Sequence, residues 1–363
     1  MSTLAQQATS NLGGWTHHIS PVAIDLFGAF SIRWYGLSYL AGFAAAYLLL
    51  RLLAARGATR IPKDRALDAI LTLIVGVVVG GRLGYVLLYE PRLLGLVDGF
   101  PFWGVLAVNR GGMASHGGIV GVMLAAWKLS RGFKQPDGTV VGRCPPMHAM
   151  DVCTLIAPAG LLFGRLANFI NGELLGKIVA LPGQHAPWFA VRYPQEILSE
   201  PDDRLAQTPE QTAAIQRLAS DFALPGETWF AGYERLLAAV QRGDAAARAA
   251  IEPLISARHP TQLYQAAIEG LVVGVVVWAI AAKPRKPGVI GAWFLIVYAA
   301  GRVAMDFVRL PDAGVTQFGP LTRGQVYSLL MLLAGVAVLV FASARSADRV
   351  SGGWLRPGPP PPN

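Results

Sequence analysis

The sequence predicts an all-α polytopic membrane protein with about seven transmembrane helices. Of its 363 residues, 53% are hydrophobic and only 15% are charged, whereas soluble domains carry roughly 25% charged residues. Several apolar runs reach the ~20 residues that a helix needs to cross a bilayer. The net charge of +9 comes largely from basic residues in short loops between these runs, as the positive-inside rule describes. We therefore expect a lipid bilayer as partner and no nucleic acid.

The basic loops also set the expected orientation, because they belong on the cytoplasmic side. An N-terminus outside and a C-terminus in the cytoplasm agree with every basic loop. The expected segments are an external arm (1–29), spans one to four (30–176), a small mixed external head lobe (177–258), spans five to seven (259–345) and a flexible cytoplasmic tail (346–363). The seven spans are predicted at about 30–53, 67–89, 119–129, 147–172, 261–282, 289–308 and 326–344.

Local signals support individual elements of this layout. Gly76 and Gly80 in span two have the small-xxx-small spacing that permits close contact between helices. The aromatic residues at 100–103 suit a membrane interface. In the lobe, Thr208 followed by Pro209 and Gln211 predicts a capped helix start. The two cysteines predict no disulfide framework and no metal site.

The most informative stretch is 164–176, an unusually polar end to the fourth span. At ~100° per residue, Arg165, Asn168 and Gly172 lie within an arc of about 60° on one helix face. A cation, an amide and a gap without a side chain are typical of a functional site, because polar groups are costly inside a bilayer. The alternative is an arginine that snorkels to the interface.

The predicted topology brings further polar residues to the same depth, in the outer half of the bilayer. Spans two, four and six run outward, and each carries an arginine directly after a glycine. Spans one, three and five run inward and carry a tyrosine or histidine near their outer starts. Arginine pairs well with phosphate, so the pattern predicts a phospholipid site. The residues concerned are Arg82, Arg165 and Arg302, then Tyr35, His116 and His259.

His116 is the strongest candidate for a catalytic base, since an imidazole takes up a proton near neutral pH. The glycines beside it would let a substrate approach the backbone. His17 and His18 lie in the polar arm and are set aside. An alternative role for the arginines is ion pairing between helices, for instance Arg302 with Asp306 at i,i+4.

These residues together resemble the prolipoprotein diacylglyceryl transferase family. The residues Gly164 to Glu173, with Gly176, match the specific signature of that family, and the remaining matches are weaker one by one. They are Arg33–Gly36, His116–Gly118, His259–Tyr264 and Tyr298–Arg309. The resemblance covers roughly 20–180 and 258–345. The 195–257 part of the lobe resembles nothing in the family and is interpreted as an enlarged head.

The resemblance implies transfer of an sn-1,2-diacylglyceryl group from phosphatidylglycerol to the lipobox cysteine behind a prolipoprotein signal peptide. It implies a thioether product, release of glycerol-1-phosphate, a multi-pass enzyme of the bacterial inner membrane with its site facing the outer leaflet, and no cofactor. His116, Arg165 and Arg302 would be catalytic. Substrate-binding residues would be Tyr35, Asn168, Gly172, Gly176, Tyr298, Asp306, Glu173, Arg82, His259 and Arg309.

The chain departs from the family pattern at Arg33 for histidine, Asp306 for glutamate and Gln265 for an acidic residue. An essential base at position 33 is thereby disfavoured. Competing interpretations are an intramembrane protease, a lipid acyltransferase, and a phospholipid transporter or lipid-binding scaffold. The adjacent pair Ser115 and His116 argues against a serine protease, because i,i+1 neighbours do not face each other on a helix.

Overall fold

The computed structural model describes residues 12–26, 31–107, 111–311, 317–318 and 321–355, and these are mostly helical. The α-helices are α1 (Trp34–Ala55), α2 (Ala66–Leu88), α3 (Ser115–Ser130), α4 (Pro146–Asn171), α5 (Glu196–Ser199), α6 (Asp202–Leu205), α7 (Pro209–Ser220), α8 (Trp229–Gln241), α9 (Ala245–Ile251), α10 (Thr261–Gln265), α11 (Val273–Ile280), α12 (Val289–Asp306) and α13 (Arg323–Ala344). A π-helical segment, Ala266–Val272, joins α10 to α11.

Six stretches of helix in the described residues are long and apolar enough to cross a membrane. This confirms the polytopic helical class. The predicted third span corresponds to α3, whose 16 residues reach only ~24 Å against a hydrocarbon core of ~30 Å. The count of seven therefore stays a prediction. The six stretches are Trp34–Ala55, Lys63–Leu88, Pro146–Asn171, Thr261–Ile280, Val289–Asp306 and Gly324–Ala344.

Short strands connect and brace the helices. They are β1 (Trp15–Thr16), β2 (Val22–Asp25), β3 (Ser31–Arg33), β4 (Phe133–Lys134), β5 (Val140–Val141), β6 (Ile178–Ala180), β7 (Val191–Arg192), β8 (Ala257–Arg258), β9 (Pro284–Arg285), β10 (Gln317–Phe318), β11 (Leu321–Thr322) and β12 (Ser351–Gly352). The chain divides into two compact units. The first unit comprises the described residues up to 40 and those within 161–270 and 300–328, and the second comprises 41–160, 271–299 and the described residues from 329 on.

In the first unit, a four-stranded sheet of order β1-β7-β8-β6 organises residues 177–258. The N-terminal strand β1 runs parallel to β7, and β8 is antiparallel to both β7 and β6. Helices α7, α8 and α9 pack around a separate apolar core that includes Tyr233 and Leu236. The capped start of α7 is confirmed, since Thr208 and Gln211 form a reciprocal capping box.

In the second unit, glycines hold α2 and α3 at very short range. A Cβ on Gly76 would lie 2.6 Å from the carbonyl oxygen of Gly121, and one on Gly84 would lie 2.6 Å from the Cα of Gly117. Real side chains do not tolerate such distances, so only glycine allows this contact. The close helix contact predicted from the glycine spacing is confirmed.

Part of the predicted flexible tail is instead packed into the second unit. Strand β12 pairs antiparallel with β9. The fully buried Ser351 lies with its Oγ 2.9 Å from His148 Nδ1. Trp354 Nε1 donates a hydrogen bond to the carbonyl oxygen of Trp278 at 2.9 Å. Residues 351–355 therefore depart from the prediction, because a buried serine and two tryptophans hold them in place, and 356–363 lie outside the described residues.

Candidate active site

The centre of the candidate site is a carboxylate in the membrane-length stretch Thr261–Ile280, where two arginines meet. Glu269 is completely buried. Its Oε2 accepts a hydrogen bond from Arg165 Nε at 2.9 Å, and its Oε1 lies 3.5 Å from Arg302 Nη1. Arg302 Nη2 in turn lies 3.9 Å from Asp306 Oδ1. Helices α4 and α12 thus place their arginines on one acidic residue within the first unit.

Local backbone features explain how these elements come so close. Glu269 lies in the π-helical segment. Such segments are rare in proteins, and those that occur are often found at functional sites. The next residue, Gly270, faces α4, and a Cβ there would lie 2.7 Å from Leu162 Cβ. Gly301 faces the π-helical segment, and a Cβ there would lie 2.4 Å from Ile268 Cγ2. Glycines beside Glu269 and beside Arg302 therefore allow the helices to approach.

The fourth member of this cluster, Asp306, is the last residue of α12 and lies close to the start of α13. A Cβ on Gly324 would lie 3.2 Å from Asp306 Oδ2. The helix start itself is capped, because Gln325 N donates to Thr322 Oγ1 and Thr322 N donates to Gln325 Oε1. A carboxylate near a helix N-terminus is stabilised by the positive end of the helix dipole. Asp306 therefore lies between two positive groups, the start of α13 and the guanidinium of Arg302.

The cluster holds more hydrogen-bonding capacity than it uses. Glu269 Oε1, Arg302 Nη1 and Asp306 Oδ2 are buried, and none of them has a hydrogen-bond partner among the described residues. In the same part of the chain nothing accepts a hydrogen bond from Arg165 Nη1 or Nη2. The Arg165 and Arg302 side chains are 18% and 14% exposed. Two partly accessible cations therefore share one buried anion and have donors to spare, which suits an anionic ligand.

Asn168 is also buried and points to a second carboxylate. Its Nδ2 donates to Glu173 Oε2 at 3.3 Å, and Asn171 Nδ2 donates to Glu173 Oε1 at 2.9 Å. Glu173 itself is exposed. In α1, the Tyr39 hydroxyl donates to the Tyr35 hydroxyl at 3.4 Å. The two carboxylate oxygens of Glu173 thus orient both asparagines.

Gly172 has a structural role that differs from the prediction. Its φ is +69°, its N–H donates to the carbonyl oxygen of Phe169, and the next N–H, of Glu173, donates to that of Asn168. These two bonds form the Schellman motif that ends helices at a glycine. A Cβ on Gly172 would lie 2.9 Å from Gln195 Cδ. The glycine is therefore required by the turn, and Gln195 occupies the space predicted for a substrate.

Gly176 and His259 meet directly in the first unit. A Cβ on Gly176 would lie 2.3 Å from the His259 carbonyl oxygen, so this position tolerates no side chain. Gly176 also pairs with Arg309 through an isolated antiparallel bridge. The His259 ring stacks on Phe189 at 5.7 Å. Burial, with a smaller effect of Lys177, lowers the pKa of His259.

Arg82, in the second unit, departs from its predicted role as a substrate contact. All of its nitrogens donate to backbone carbonyl oxygens, at distances between 2.5 and 3.2 Å. The side chain is 4% exposed. The guanidinium therefore organises the loop that leads into α3 and has no free donor for a phosphate. The five acceptors belong to Gly104, Val105, Ala107, Gly111 and Gly112.

His116 and Tyr298 also belong to the second unit. His116 is the second residue of α3 and is exposed. Tyr298 lies in α12 with its ring stacked on Phe294 at 5.7 Å. The predicted common depth of these residues with Arg165 stays a prediction. Across the described residues, no three His, Cys, Asp or Glu side chains gather as ligands for a metal ion.

A family model described as prolipoprotein diacylglyceryl transferase matches residues 21–341. The chain belongs to the prolipoprotein diacylglyceryl transferase family. A relative from Bdellovibrio bacteriovorus, named phosphatidylglycerol–prolipoprotein diacylglyceryl transferase, is 38% identical over 94% of this chain and 97% of its own length. Relatives of the same name from Xylella fastidiosa (strain M23) and Stenotrophomonas maltophilia are 36% and 35% identical, over 92% and 90% of this chain and 95% and 92% of their own lengths.

Two residues that contact the candidate site, Glu269 and His17, are not among the site residues predicted from the sequence. Glu269 had a signal, because it is the sole acidic residue between 261 and 280 and a charged group in an apolar span is a functional candidate by default. His17 had none, since its partner Phe169 lies 152 residues away in the chain. The spacing of polar residues in 164–176 predicted Arg165 and Asn168 as site residues, but it did not show which carboxylate each of them contacts.

Proposed function

We propose that this chain transfers the diacylglyceryl group of phosphatidylglycerol to the lipobox cysteine of bacterial prolipoproteins. Family membership and the names of the relatives support the reaction. The observation that carries the assignment of the site is the pair Arg165 and Arg302 on the buried Glu269. A transporter or scaffold is not favoured, because the relatives are named as transferases.

The chemistry requires a cation at the leaving group. The cysteine thiolate attacks the glyceryl carbon that is esterified to phosphate, so a C–S bond forms and the C–O bond breaks. The electron pair leaves with the phosphate oxygen, and glycerol-1-phosphate departs with one more negative charge than phosphatidylglycerol carried on its phosphate. Arg165 and Arg302 would stabilise that charge where it develops. Because Glu269 fixes both guanidiniums in advance, little reorganisation would be needed.

The thiol proton also needs an acceptor, since the thiolate is the reactive species. We assign this role to His116, which is exposed at the start of α3. Asn168 and Tyr298 are assigned to orientation of the lipid head group or its ester oxygens. Asn168 would do so with the carboxylate of Glu173 holding its amide.

We place the enzyme in the bacterial inner membrane with its site toward the outer leaflet. The six apolar stretches support a multi-pass protein. The basic loops support a cytoplasmic C-terminus, and α3 would supply a short seventh crossing. The prolipoprotein would then meet the site after its signal peptide has entered the membrane.

A direct assay tests the proposal. The purified protein is incubated with phosphatidylglycerol and a peptide that contains a lipobox cysteine. We expect the peptide to gain the mass of one diacylglyceryl group while glycerol-1-phosphate is released in equal amount. A peptide with the cysteine replaced by serine, and vesicles of phosphatidylethanolamine alone, are the controls. Movement of lipid without a covalent product would contradict the proposal and favour a transporter.

A further inference from the structure

The N-terminal arm carries a histidine that holds the end of α4 from outside that helix. His17 is completely buried. Its Nε2 lies 2.8 Å from the carbonyl oxygen of Phe169, and its Nδ1 lies 2.8 Å from Gln195 Nε2. A carbonyl oxygen only accepts, so Nε2 carries the proton and Nδ1 accepts from the amide of Gln195. The ring is thus a neutral link between two other segments of the first unit.

One partner of His17, Phe169, belongs to the turn that ends α4, and the other, Gln195, packs against that turn. The Phe169 carbonyl oxygen accepts from His17 and also from the N–H of Gly172 at 3.0 Å. Gln195 fills the space against the Cα of Gly172, whose φ of +69° no side chain would readily adopt. His17 and Gln195 therefore clamp the two groups on which the Schellman turn depends.

The rest of the arm keeps His17 in this position. Strand β1 runs parallel to β7. The Trp15 ring stacks on Phe169 at 5.8 Å, and the His17 ring lies 5.4 Å from the Tyr193 ring. Tyr193 extends the network, because its hydroxyl donates to Gln262 Oε1 and Gln262 Nε2 donates to the Glu173 carbonyl oxygen. The arm is thus part of the packing around the turn.

The turn decides where two functional groups lie. Glu173 directly follows Gly172, and its carboxylate accepts from Asn168 on the last turn of α4. A change in the Gly172 backbone would swing Glu173 away from Asn168. We propose that His17 and Gln195 are positioning residues for the transferase, which hold the 168–173 turn so that Asn168 and Glu173 meet. This inference rests on the proposed function for its kinetic consequence, but the clamp itself can be measured without it.

The experiment compares four single variants and one double variant of the full-length protein in phosphatidylglycerol nanodiscs. His17→Ala removes the clamp, and His17→Gln keeps an amide that can donate to Phe169 and accept from Gln195. Gln195→Ala removes the second partner. His18→Ala is the matched control, because the His18 ring contacts only its own arm, at the Thr16 carbonyl oxygen and the Trp15 ring. Hydrogen exchange of the 168–176 amides and the kinetics of peptide modification are measured for each variant.

We expect His17→Ala to speed exchange of the Gly172 and Glu173 amides about tenfold, the value of one net hydrogen bond. We expect kcat to fall by a similar factor while KM for the peptide changes little. His17→Gln should recover most of both effects, and His18→Ala should match the wild type. The double variant His17→Ala/Gln195→Ala should lose no more than His17→Ala alone, because the two residues act as one unit.

Several outcomes would overturn the proposal. If the 168–176 amides of His17→Ala exchange hydrogen at the wild-type rate, His17 does not hold the turn. Faster amide exchange with an unchanged kcat in His17→Ala would show that His17 holds the turn but does not position groups for the reaction. A folded His17→Gln variant with the same losses as His17→Ala would show that the two hydrogen bonds of His17 are not what holds the turn. If His17→Ala does not fold, His17→Gln and Gln195→Ala decide the question on the same two readouts. A wild-type protein that modifies no peptide would refute the proposed function, while the exchange data would still test the clamp.

Discussion

Arg82, Arg165 and Arg302 each follow a glycine directly in the sequence, but they have two different kinds of partner. Arg82 donates from all three nitrogens to backbone carbonyl oxygens of one loop. Arg165 and Arg302 share the single carboxylate of Glu269, with Asp306 at 3.9 Å from Arg302. An arginine whose N–H groups all donate to carbonyl oxygens stabilises the backbone around it. An arginine beside a buried carboxylate that has N–H groups without an acceptor can also bind a further anion.

The comparison shows that a sequence pattern can mark costly groups without showing what offsets their cost. Burying a guanidinium requires hydrogen bonds or a counter-ion. A loop of carbonyl oxygens and a buried carboxylate both meet that requirement. Only the second arrangement leaves guanidinium N–H groups without an acceptor among the described residues, so the partners of an arginine show whether it can still bind a ligand.

The largest effect is expected from loss of the arginines with spare donors. Arg165→Ala or Arg302→Ala should lower kcat/KM by on the order of 10²–10³, as for loss of one donor to a developing anion. The measurement is peptide modification per folded molecule.

Arg82→Ala is the matched control for this comparison. It should reduce the yield and Tm of the protein, because five carbonyl oxygens lose their donor, but lower kcat/KM per folded molecule by less than about tenfold. The comparison fails if Arg82→Ala abolishes transfer in folded protein while Arg165→Ala does not.

Glu269→Gln should disturb both arginines together. Removing one partner of a buried ion pair leaves an uncompensated charge and costs about 3–5 kcal/mol. We expect a lower free energy of unfolding and a slower transfer reaction, measured by denaturant titration and by peptide modification. Glu227→Gln serves as control, because Glu227 pairs with Arg235 on an exposed surface, where ion pairs add little. Equal effects of the two substitutions would contradict a central role for Glu269.

The stability of the protein should fall with acidification through His17. Burial lowers the pKa of His17 to about 4, below the usual 6.5. Between these values the unfolded chain binds a proton that the folded chain does not, so stability is present above pH 6.5 and is lost as the pH falls toward 4. The loss amounts to about 3 kcal/mol for this shift. Denaturant titrations from pH 7 to pH 4 should show a weaker dependence in His17→Gln, and an identical one would contradict this assignment.

The smallest effect is expected at a saturated site in the second unit. Ser351→Ala removes the contact with His148 Nδ1 and should lower the free energy of unfolding by about 1–2 kcal/mol. The transfer rate per folded molecule should not change. Ser346→Ala, at an exposed position, is the control. A large loss of transfer in folded Ser351→Ala would show that saturated polar sites also serve the chemistry.

The sequence predicted those features that depend on local pattern. Apolar length gave the spans, the spacing of Gly76 and Gly80 gave a helix contact, and the Thr208 signal gave a capped helix. Pairings between distant segments could not be predicted. Phe169 and His17, or Ser351 and His148, are brought together only by folding. A single sequence contains no local signal for such contacts.

The candidate site shows the same division. Arg165 and Arg302 were predicted from the cost of burying charge, but Glu269 was missed although it met the same criterion. Gly172 was interpreted as a gap for substrate, whereas its positive φ shows that it ends a helix. Residue type and depth predict which side chains are unusual, and the hydrogen-bond partners decide what they do.

The most direct test of the account measures phosphatidylglycerol binding to three matched variants in lipid nanodiscs of uncharged lipid. Arg165→Gln, Arg302→Gln and Arg82→Gln each remove one guanidinium and keep an amide. We predict that the first two raise the Kd for phosphatidylglycerol at least about tenfold, whereas Arg82→Gln changes it by less than about twofold. Binding that depends on Arg82 and is unaffected at Arg165 and Arg302 would contradict the assignment of the phosphate site.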